Sequence, residues 1–226
     1  EFYKNGFVIF EDIINKRDLK KIENSYKDLF NEKYQTGVVP DKIKWKKKRD
    51  KNNIPRSLCN VWKSDKNIAK VVLSKSLGKI AANLMGWKST RLNQDSIIWV
   101  TPNAGCINFH QDNPYWQLST NKVITAWIAL TNSDENSGAL QIVPGSSNLG
   151  IINPLDVKNP RESYLNNEKT TKSNDMLSYN QNLESFMNNN NPVTINLKPN
   201  EFSLHHVNSV HGSGVNKSSL YRIGYA

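Results

Sequence analysis

The chain has 226 residues, 37% of them hydrophobic, and a formal net charge of +10. This length suffices for one domain with a sizeable core, and no apolar run approaches the roughly 18 residues of a membrane span. Asparagine occurs 32 times and lysine 24 times against six arginines, so the positive charge indicates a compositional bias rather than a nucleic-acid surface. We expect neither nucleic acid nor a membrane as a partner, and the oligomeric state stays open.

The amino-terminal part of the chain is predicted to be mainly helical. Asn15 and Asp65 are placed to cap helices, and Gly86 is placed to close one. Residues 32–56 are polar and predict a loop. The expected elements are a short buried strand at 7–10 and helices over 16–31, from 65 through 73 and over 75–85.

From residue 89 onwards the pattern is that of short strands joined by turns. Helices first and strands later predict an α+β fold with a β-sandwich or jelly-roll core. Residues 150–192 are rich in asparagine and lack periodicity, so we expect a lid or insertion within a single domain over 1–226. The expected strands lie at 90–100, 106–110, 123–130, 139–143, 193–197, 201–206 and 220–226.

The only cysteines, Cys59 and Cys106, form neither a zinc motif nor a disulfide framework. A reducing compartment, and hence a cytoplasmic location, is the plain expectation. The first residues do not resemble a signal peptide, and the last ones stop inside an apparent strand. Ordered residues are therefore expected to be missing at the termini.

A His-x-Asp motif stands at the end of the strand predicted at 106–110, and residues 108–112 are read as a continuation of that strand. His110 and Asp112 are two residues apart, and side chains at that spacing point to the same face of a strand. A converging imidazole and carboxylate supply two of the three ligands of the 2-His-1-carboxylate site that holds non-haem Fe(II). The other histidines are His205, His206 and His211.

Arg222 lies on the last predicted strand, on the same face as Leu220 and Gly224. An arginine that faces inward on an apolar strand needs a carboxylate partner, because an unpaired buried charge is costly. Two alternatives remain open for that partner. It is either the carboxylate of a ligand, which a guanidinium binds in bidentate fashion, or an internal Asp or Glu.

Together with His110, Asp112, His211 and Arg222, several stretches along the chain resemble the phytanoyl-CoA dioxygenase family of Fe(II)/2-oxoglutarate-dependent oxygenases. The resemblance covers nearly the whole chain and implies a double-stranded β-helix, the cupin-like form of the jelly roll, with packing helices before it. The matching stretches are NGFVI at 5–9, FHQDNPYW at 109–116, TAWIAL at 125–130, NSGALQIVPGS at 136–146, and HGSGVN at 211–216 followed by Arg222.

The resemblance implies that His110, Asp112 and His211 are the ligands of Fe(II). His206 is an alternative third ligand, but the Gly-Ser after His211 and the eleven-residue step to Arg222 favour His211. Related halogenases replace the carboxylate with Ala or Gly, so the presence of Asp112 favours hydroxylation over halogenation.

The resemblance also implies a 2-oxoglutarate site. Arg222 would pair with the far carboxylate of 2-oxoglutarate, Ser213 would hydrogen-bond the same end, and Trp127 would line the pocket. Thr125 is a weaker candidate on the same face. Family members often carry a cationic contact on the strand before the His-x-Asp motif, and this chain has no lysine there. The candidate substrate contacts are Gln111, Tyr115, Trp116 and Trp99.

The function implied is a dioxygenase that uses O2, Fe(II) and 2-oxoglutarate to hydroxylate a C–H bond of a small molecule, with release of succinate and CO2. A first alternative is a non-catalytic jelly-roll binding module with a vestigial metal site. A second is a cupin-like enzyme that uses a metal without 2-oxoglutarate. Nothing selects the substrate, although a positive rim would suit an anionic one.

Overall fold

The computed structural model describes residues 1–45, 53–116, 118, 120, 122–152, 183–187 and 190–226. Within these ranges, no helix is long and apolar enough to cross a membrane. Most of the lid or insertion expected over 150–192 lies outside the described residues.

The described helices precede or connect the strands. They are α1 (Phe2–Asn5), α2 (Lys16–Phe30), α3 (Lys66–Val72), α4 (Lys75–Met85), α5 (Asn113–Trp116) and α6 (Glu184–Met187), with 3-10 turns at Val61–Lys63 and Ser146–Leu149. The strands are β1 (Phe7–Phe10), β2 (Lys42–Ile43), β3 (Arg56–Cys59), β4 (Ser96–Val100), β5 (Ile107–His110), β6 (Ile124–Ala129), β7 (Leu140–Ile142), β8 (Val193–Thr194), β9 (Phe202–His206), β10 (His211–Ser213) and β11 (Arg222–Tyr225).

These strands form two antiparallel sheets. The larger has the order β1-β9-β6-β11-β4-β3-β2, and the smaller has the order β5-β10-β7-β8. In the larger sheet, strands that are far apart along the chain are neighbours: the first strand, β1, pairs with β9, and the last strand, β11, pairs with β4. The α+β class with a jelly-roll core and amino-terminal packing helices is therefore confirmed.

The larger sheet has a different partner on each face. On one face, Phe202 and Leu204 of β9 pack with Ile22 and Leu29 of α2. On the other face, residues of β4 and β6 pack against those of β7 in the smaller sheet. Because strand side chains alternate between faces, each strand of the larger sheet sends one set of residues to the helices and the other into the space between the sheets.

Helix ends follow the local signals in the sequence. The side chain of Asn15 accepts the backbone N–H of Asp18 at 2.9 Å, and that of Asp65 accepts two N–H groups at the start of α3. Gly86 ends α4 with φ of 66°. Side-chain acceptors of this kind satisfy N–H groups that have no partner inside the helix, so these ends were predictable from neighbouring residues alone.

Strand ends were predicted less well. The strand expected at 90–100 begins only at Ser96. Four of the five residues at 90–94 are polar and exposed, and the Asp95 side chain accepts the backbone N–H of Trp62. The expected loop at 32–56 contains β2, which pairs with β3 at an edge of the larger sheet. The last strand begins at Arg222, and Leu220, expected on it, is 72% exposed.

Candidate functional site

Two histidines meet where β10 lies against β5. His211 is the direct antiparallel partner of His110, and their ring centroids are 4.3 Å apart. Gly212 makes this approach close, because a Cβ atom there would lie 2.8 Å from the backbone oxygen of Ile107. The two imidazoles are therefore brought together by strand pairing across about a hundred residues of chain.

Asp112 reaches the same point from a turn. β5 ends at His110, so the expectation that Asp112 continues the strand was wrong. The Asp112 carbonyl instead accepts the N–H of Tyr115 in α5. The turn is held by Gln111, whose fully buried amide bonds the backbone of Gly150, Ile152 and Asn208.

The three side chains form a compact set of ligand atoms. Asp112 Oδ1 lies 3.7 Å from the Nε2 atoms of both His110 and His211. The ligand atoms all lie within 4.8 Å of one another, and all three residues are buried. This is the donor set of a 2-His-1-carboxylate metal site.

Hydrogen bonds orient each of the three side chains. His110 Nδ1 lies 2.7 Å from the Asn108 carbonyl, and His211 Nδ1 lies 2.9 Å from the Ser209 carbonyl. Each Nδ1 therefore carries the proton and donates, which leaves each Nε2 with its lone pair. Thr125 donates its hydroxyl to Asp112 Oδ2 at 2.8 Å, so Oδ1 stays free. The residues present fit a divalent metal.

The charges at the site are suited to a cation. Burial alone would raise the pKa of Asp112, but His211 and His110 hold it well below its ordinary value. Burial lowers the pKa of His211 to about 4 and that of His205 to about 3. At neutral pH Asp112 is therefore a carboxylate, and His205 and His211 are neutral imidazoles. Neutral imidazole is the form that binds metals.

The histidines of β9 do not join the ligand set. His206, the alternative third ligand considered above, is half-buried, and its Nδ1 accepts the Asn208 N–H at 3.1 Å. His205 is fully buried and lies 3.9 Å from Asp112 Oδ2. Phe202 and Leu204 mark the helix-facing side of the strand, so the alternation of side chains could have indicated that His205 faces the site.

A second group of polar atoms lies on the strands around the cluster. Arg222 is 1% exposed, and its Nε donates a hydrogen bond to the Ser137 carbonyl at 3.2 Å. In the part of the chain that the structure describes, Arg222 Nη1 and Nη2, Ser213 Oγ and Trp127 Nε1 have no partner. Buried polar groups without partners mark a site for a polar ligand.

These atoms suit a dicarboxylate. Burial lowers the pKa of Arg222 to about 10, so the guanidinium stays charged at neutral pH. No described Asp or Glu pairs with it, so among the described residues the guanidinium has no anionic partner. Gly224 leaves space for the Trp127 ring, because a Cβ atom at this position would overlap that ring. Sequence reasoning placed Gly224 on this face but missed this role.

A cavity of about 530 Å³ connects the two groups. The metal-binding cluster, His205, Arg222, Ser213, Trp127 and Thr125 all line it. Apolar side chains form much of the remaining wall, and they include Ile98, Ile107, Leu140 and Trp116.

The candidate substrate contacts are dispersed. Trp116 lines the cavity, and the ring of Tyr115 contacts that of His110 edge to face at 5.8 Å. Gln111 is instead a structural residue of the turn. Trp99 points to the opposite face of the larger sheet, where it packs against Tyr26 and Phe30 of α2. The structure therefore does not bring Trp99 to the site, because its position in β4 has the wrong parity.

A family model for phytanoyl-CoA dioxygenase matches residues 2–224. The chain belongs to the phytanoyl-CoA dioxygenase family. This membership and the buried His-Asp-His cluster identify an oxygenase that uses iron and 2-oxoglutarate. The recognition, enzyme class and cofactors expected from the sequence are thereby confirmed.

Individual relatives of this phytanoyl-CoA dioxygenase family member are distant. A probable alpha-ketoglutarate-dependent hypophosphite dioxygenase of Stutzerimonas stutzeri is 22% identical over 100% of this chain and 76% of its own length. Among solved structures, the non-heme alpha ketoglutarate dependent carbocyclase SnoK from nogalamycin biosynthesis is 16% identical, with a TM-score of 0.73 over 99% of this chain and 79% of SnoK. EctD from S. alaskensis with 2-oxoglutarate and 5-hydroxyectoine is 17% identical, with a TM-score of 0.73 over 99% of this chain and 71% of EctD. These structures establish the shared fold.

Proposed function

We propose that this oxygenase hydroxylates a C–H bond of a small molecule and releases succinate and CO2. His110, Asp112 and His211 bind Fe(II) through Nε2, Oδ1 and Nε2. Iron and 2-oxoglutarate, when bound, supply the oxidising power for the reaction. The chain's own residues bind and orient these groups and keep bulk water away.

The observation that carries the proposal is the buried Arg222 beside the ligand cluster. A buried guanidinium with two free N–H groups is unfavourable unless a ligand carboxylate satisfies it. Arg222 therefore binds the far carboxylate of 2-oxoglutarate through Nη1 and Nη2, and the Ser213 hydroxyl donates to the same carboxylate. Trp127 packs at 5.6 Å from the guanidinium carbon and restricts its movement.

Asp112 supports hydroxylation as the outcome. Its carboxylate occupies the position that related halogenases leave open, so the metal keeps three protein ligands. Thr125 holds the other carboxylate oxygen and prevents Asp112 from turning away. A metal held by these three side chains would keep positions open for 2-oxoglutarate and O2, and together with 2-oxoglutarate it would supply the oxidation.

The substrate is proposed to be a small molecule with an apolar portion. The cavity wall near the cluster is formed by side chains such as Ile98, Ile107 and Leu140, and these offer no charge to a ligand. Relatives named for hypophosphite and 5-hydroxyectoine define two further chemical classes to test, a phosphorus oxyanion and a polar heterocycle.

The test is succinate release by the purified protein with Fe(II), 2-oxoglutarate and O2, screened over a panel of substrates. The panel should contain hypophosphite, ectoine and apolar carboxylic acids. We expect Asp112→Ala to lower Fe(II)-dependent succinate release by more than about a hundredfold, since even outer-shell changes cost 10- to 100-fold. Asp28→Ala, at an exposed position on α2, is the matched control.

The alternatives predict different results. Unchanged succinate release from Asp112→Ala would contradict the ligand assignment. A protein that binds Fe(II) and 2-oxoglutarate anaerobically without a visible charge-transfer band would favour the non-catalytic binding module. A product that carries no added oxygen would replace hydroxylation by another oxidation, such as ring closure.

A further inference from the structure

His205 is a buried histidine beside the cluster to which the proposed function assigns no role. Its side chain is 2% exposed, and neither ring nitrogen has a hydrogen-bond partner within the described residues. A neutral imidazole carries one N–H donor and one acceptor. Burial of both without a partner is unfavourable, so the position of His205 requires a reason.

The direction in which His205 faces provides that reason. His205 is the cross-strand partner of Thr125 on β6, so their side chains lie side by side on the face that looks toward the smaller sheet. Thr125 already donates to Asp112 Oδ2, and His205 Nε2 lies 3.9 Å from the same oxygen. The two ligand imidazoles, in contrast, approach Oδ1.

His205 is not arranged as a fourth ligand. The set of ligand atoms that lie within 4.8 Å of one another contains His110, Asp112 and His211 but not His205. Its nearest ionic partner is the carboxylate oxygen that points away from the two ligand imidazoles. The 3.9 Å separation is about 1 Å longer than an N–H···O hydrogen bond, which a small rotation of the Asp112 carboxylate can close.

We propose that His205 is a positioning residue for Asp112. When a divalent metal draws Oδ1 toward itself, His205 donates Nε2–H to Oδ2 beside the hydroxyl of Thr125. Two donors on Oδ2 direct Oδ1 at the metal and keep the carboxylate monodentate. This inference rests on the metal site of the proposed function and adds a residue that acts through Asp112.

The experiment compares three variants of the full chain by anaerobic titration with Co(II) alone. His205→Phe keeps a ring of similar volume and removes both nitrogens, and His205→Gln restores an N–H donor. His206→Phe, at the neighbouring residue on the other side of β9, is the matched control. We expect His205→Phe to weaken Co(II) binding by about 10- to 100-fold, His205→Gln to recover most of the affinity, and His206→Phe to leave it unchanged.

Thermal unfolding separates positioning from a structural role. His205 makes no hydrogen bond that His205→Phe removes, so the metal-free Tm should be unchanged or higher. The increase in Tm that saturating Co(II) produces in the wild-type protein should shrink in His205→Phe. A structural role would instead lower the metal-free Tm and leave the Co(II)-induced increase intact.

Four results would overturn the proposal. Wild-type Co(II) affinity in His205→Phe would show that Asp112 needs no second donor. Equal losses in His205→Gln and His205→Phe would exclude the donor role. A Co(II) absorption spectrum that loses one nitrogen ligand in His205→Phe would make His205 a ligand instead. A wild-type protein with no affinity for Co(II) would overturn the proposed function as well, which distinguishes the two failures.

Discussion

Replacement of Arg222 by Met should have opposite effects on stability and on 2-oxoglutarate binding. Arg222 is 1% exposed, and among the described residues only its Nε has a hydrogen-bond partner, the Ser137 carbonyl. Exchange of a buried ion pair for apolar side chains is often neutral or stabilising by about 1–4 kcal/mol, and no described carboxylate offsets the desolvation of Arg222 in the ligand-free protein. Loss of the single hydrogen bond costs about 1 kcal/mol. We therefore expect the ligand-free Arg222→Met protein to be at least as stable as the wild type.

The effect on the cosubstrate should be large. Removal of one partner from a buried ion pair costs about 3–5 kcal/mol, and each 1.4 kcal/mol is a factor of ten in affinity. Arg222→Met should therefore weaken 2-oxoglutarate binding by roughly two to three and a half orders of magnitude. The loss falls on binding rather than folding because the carboxylate partner belongs to the ligand.

Two measurements check this prediction. Urea unfolding of the ligand-free protein gives the change in stability, and anaerobic titration of the Fe(II)-loaded protein with 2-oxoglutarate gives the dissociation constant. Arg17→Met, at an exposed position on α2, serves as the control. A variant that loses more than about 2 kcal/mol of stability yet binds 2-oxoglutarate normally would show that Arg222 pairs inside the protein.

Two further predictions concern the same sheet. Gly224→Ala should destabilise the protein by about 1–3 kcal/mol in urea unfolding, because its Cβ would meet the Trp127 ring. Gly105→Ala, with open space around it, is the control and should be neutral. Equal effects of the two substitutions would contradict the packing of Gly224 against Trp127. Burial raises the pKa of Asp95 to about 6 despite its bond from Tyr225. The folded state then binds more protons between about pH 4 and 6, so stability falls as the pH rises through this window, by at most roughly 3 kcal/mol. Asp95→Asn should flatten this dependence in unfolding curves, and an unchanged slope would refute the assignment.

Residues that act within their own segment were predictable. The caps at Asn15 and Asp65 and the glycine at the end of α4 depend on backbone groups at most four residues away, so composition and spacing were sufficient. The buried strands were located by their apolar runs, with errors at the ends. Short strands and strand ends depend on partners elsewhere in the sheet, which is why β2, β3 and β10 were not predicted.

The site also contains residues that the sequence identified and placements that it did not predict. His110, Asp112, His211 and Arg222 were identifiable because the chemistry needs those residue types in that order. Asp112 was expected on a strand, but it lies in a turn. The side chain of Gln111 holds this turn through hydrogen bonds to backbone groups far along the chain. Trp99 was assigned to the pocket because the face of a strand is known only once its register is known.

The sequence by itself therefore determined the donor chemistry of this protein: a histidine, a carboxylate, a second histidine and an arginine in a fixed order. The tertiary structure alone decided which atoms of these residues meet, since pairing of β5 with β10 joins His110 and His211 and pairing of β6 with β9 sets Thr125 beside His205. The physical reason is that hydrogen-bonded strand register acts between distant segments and selects which face each side chain occupies. A pattern along the chain records the residues but not that register.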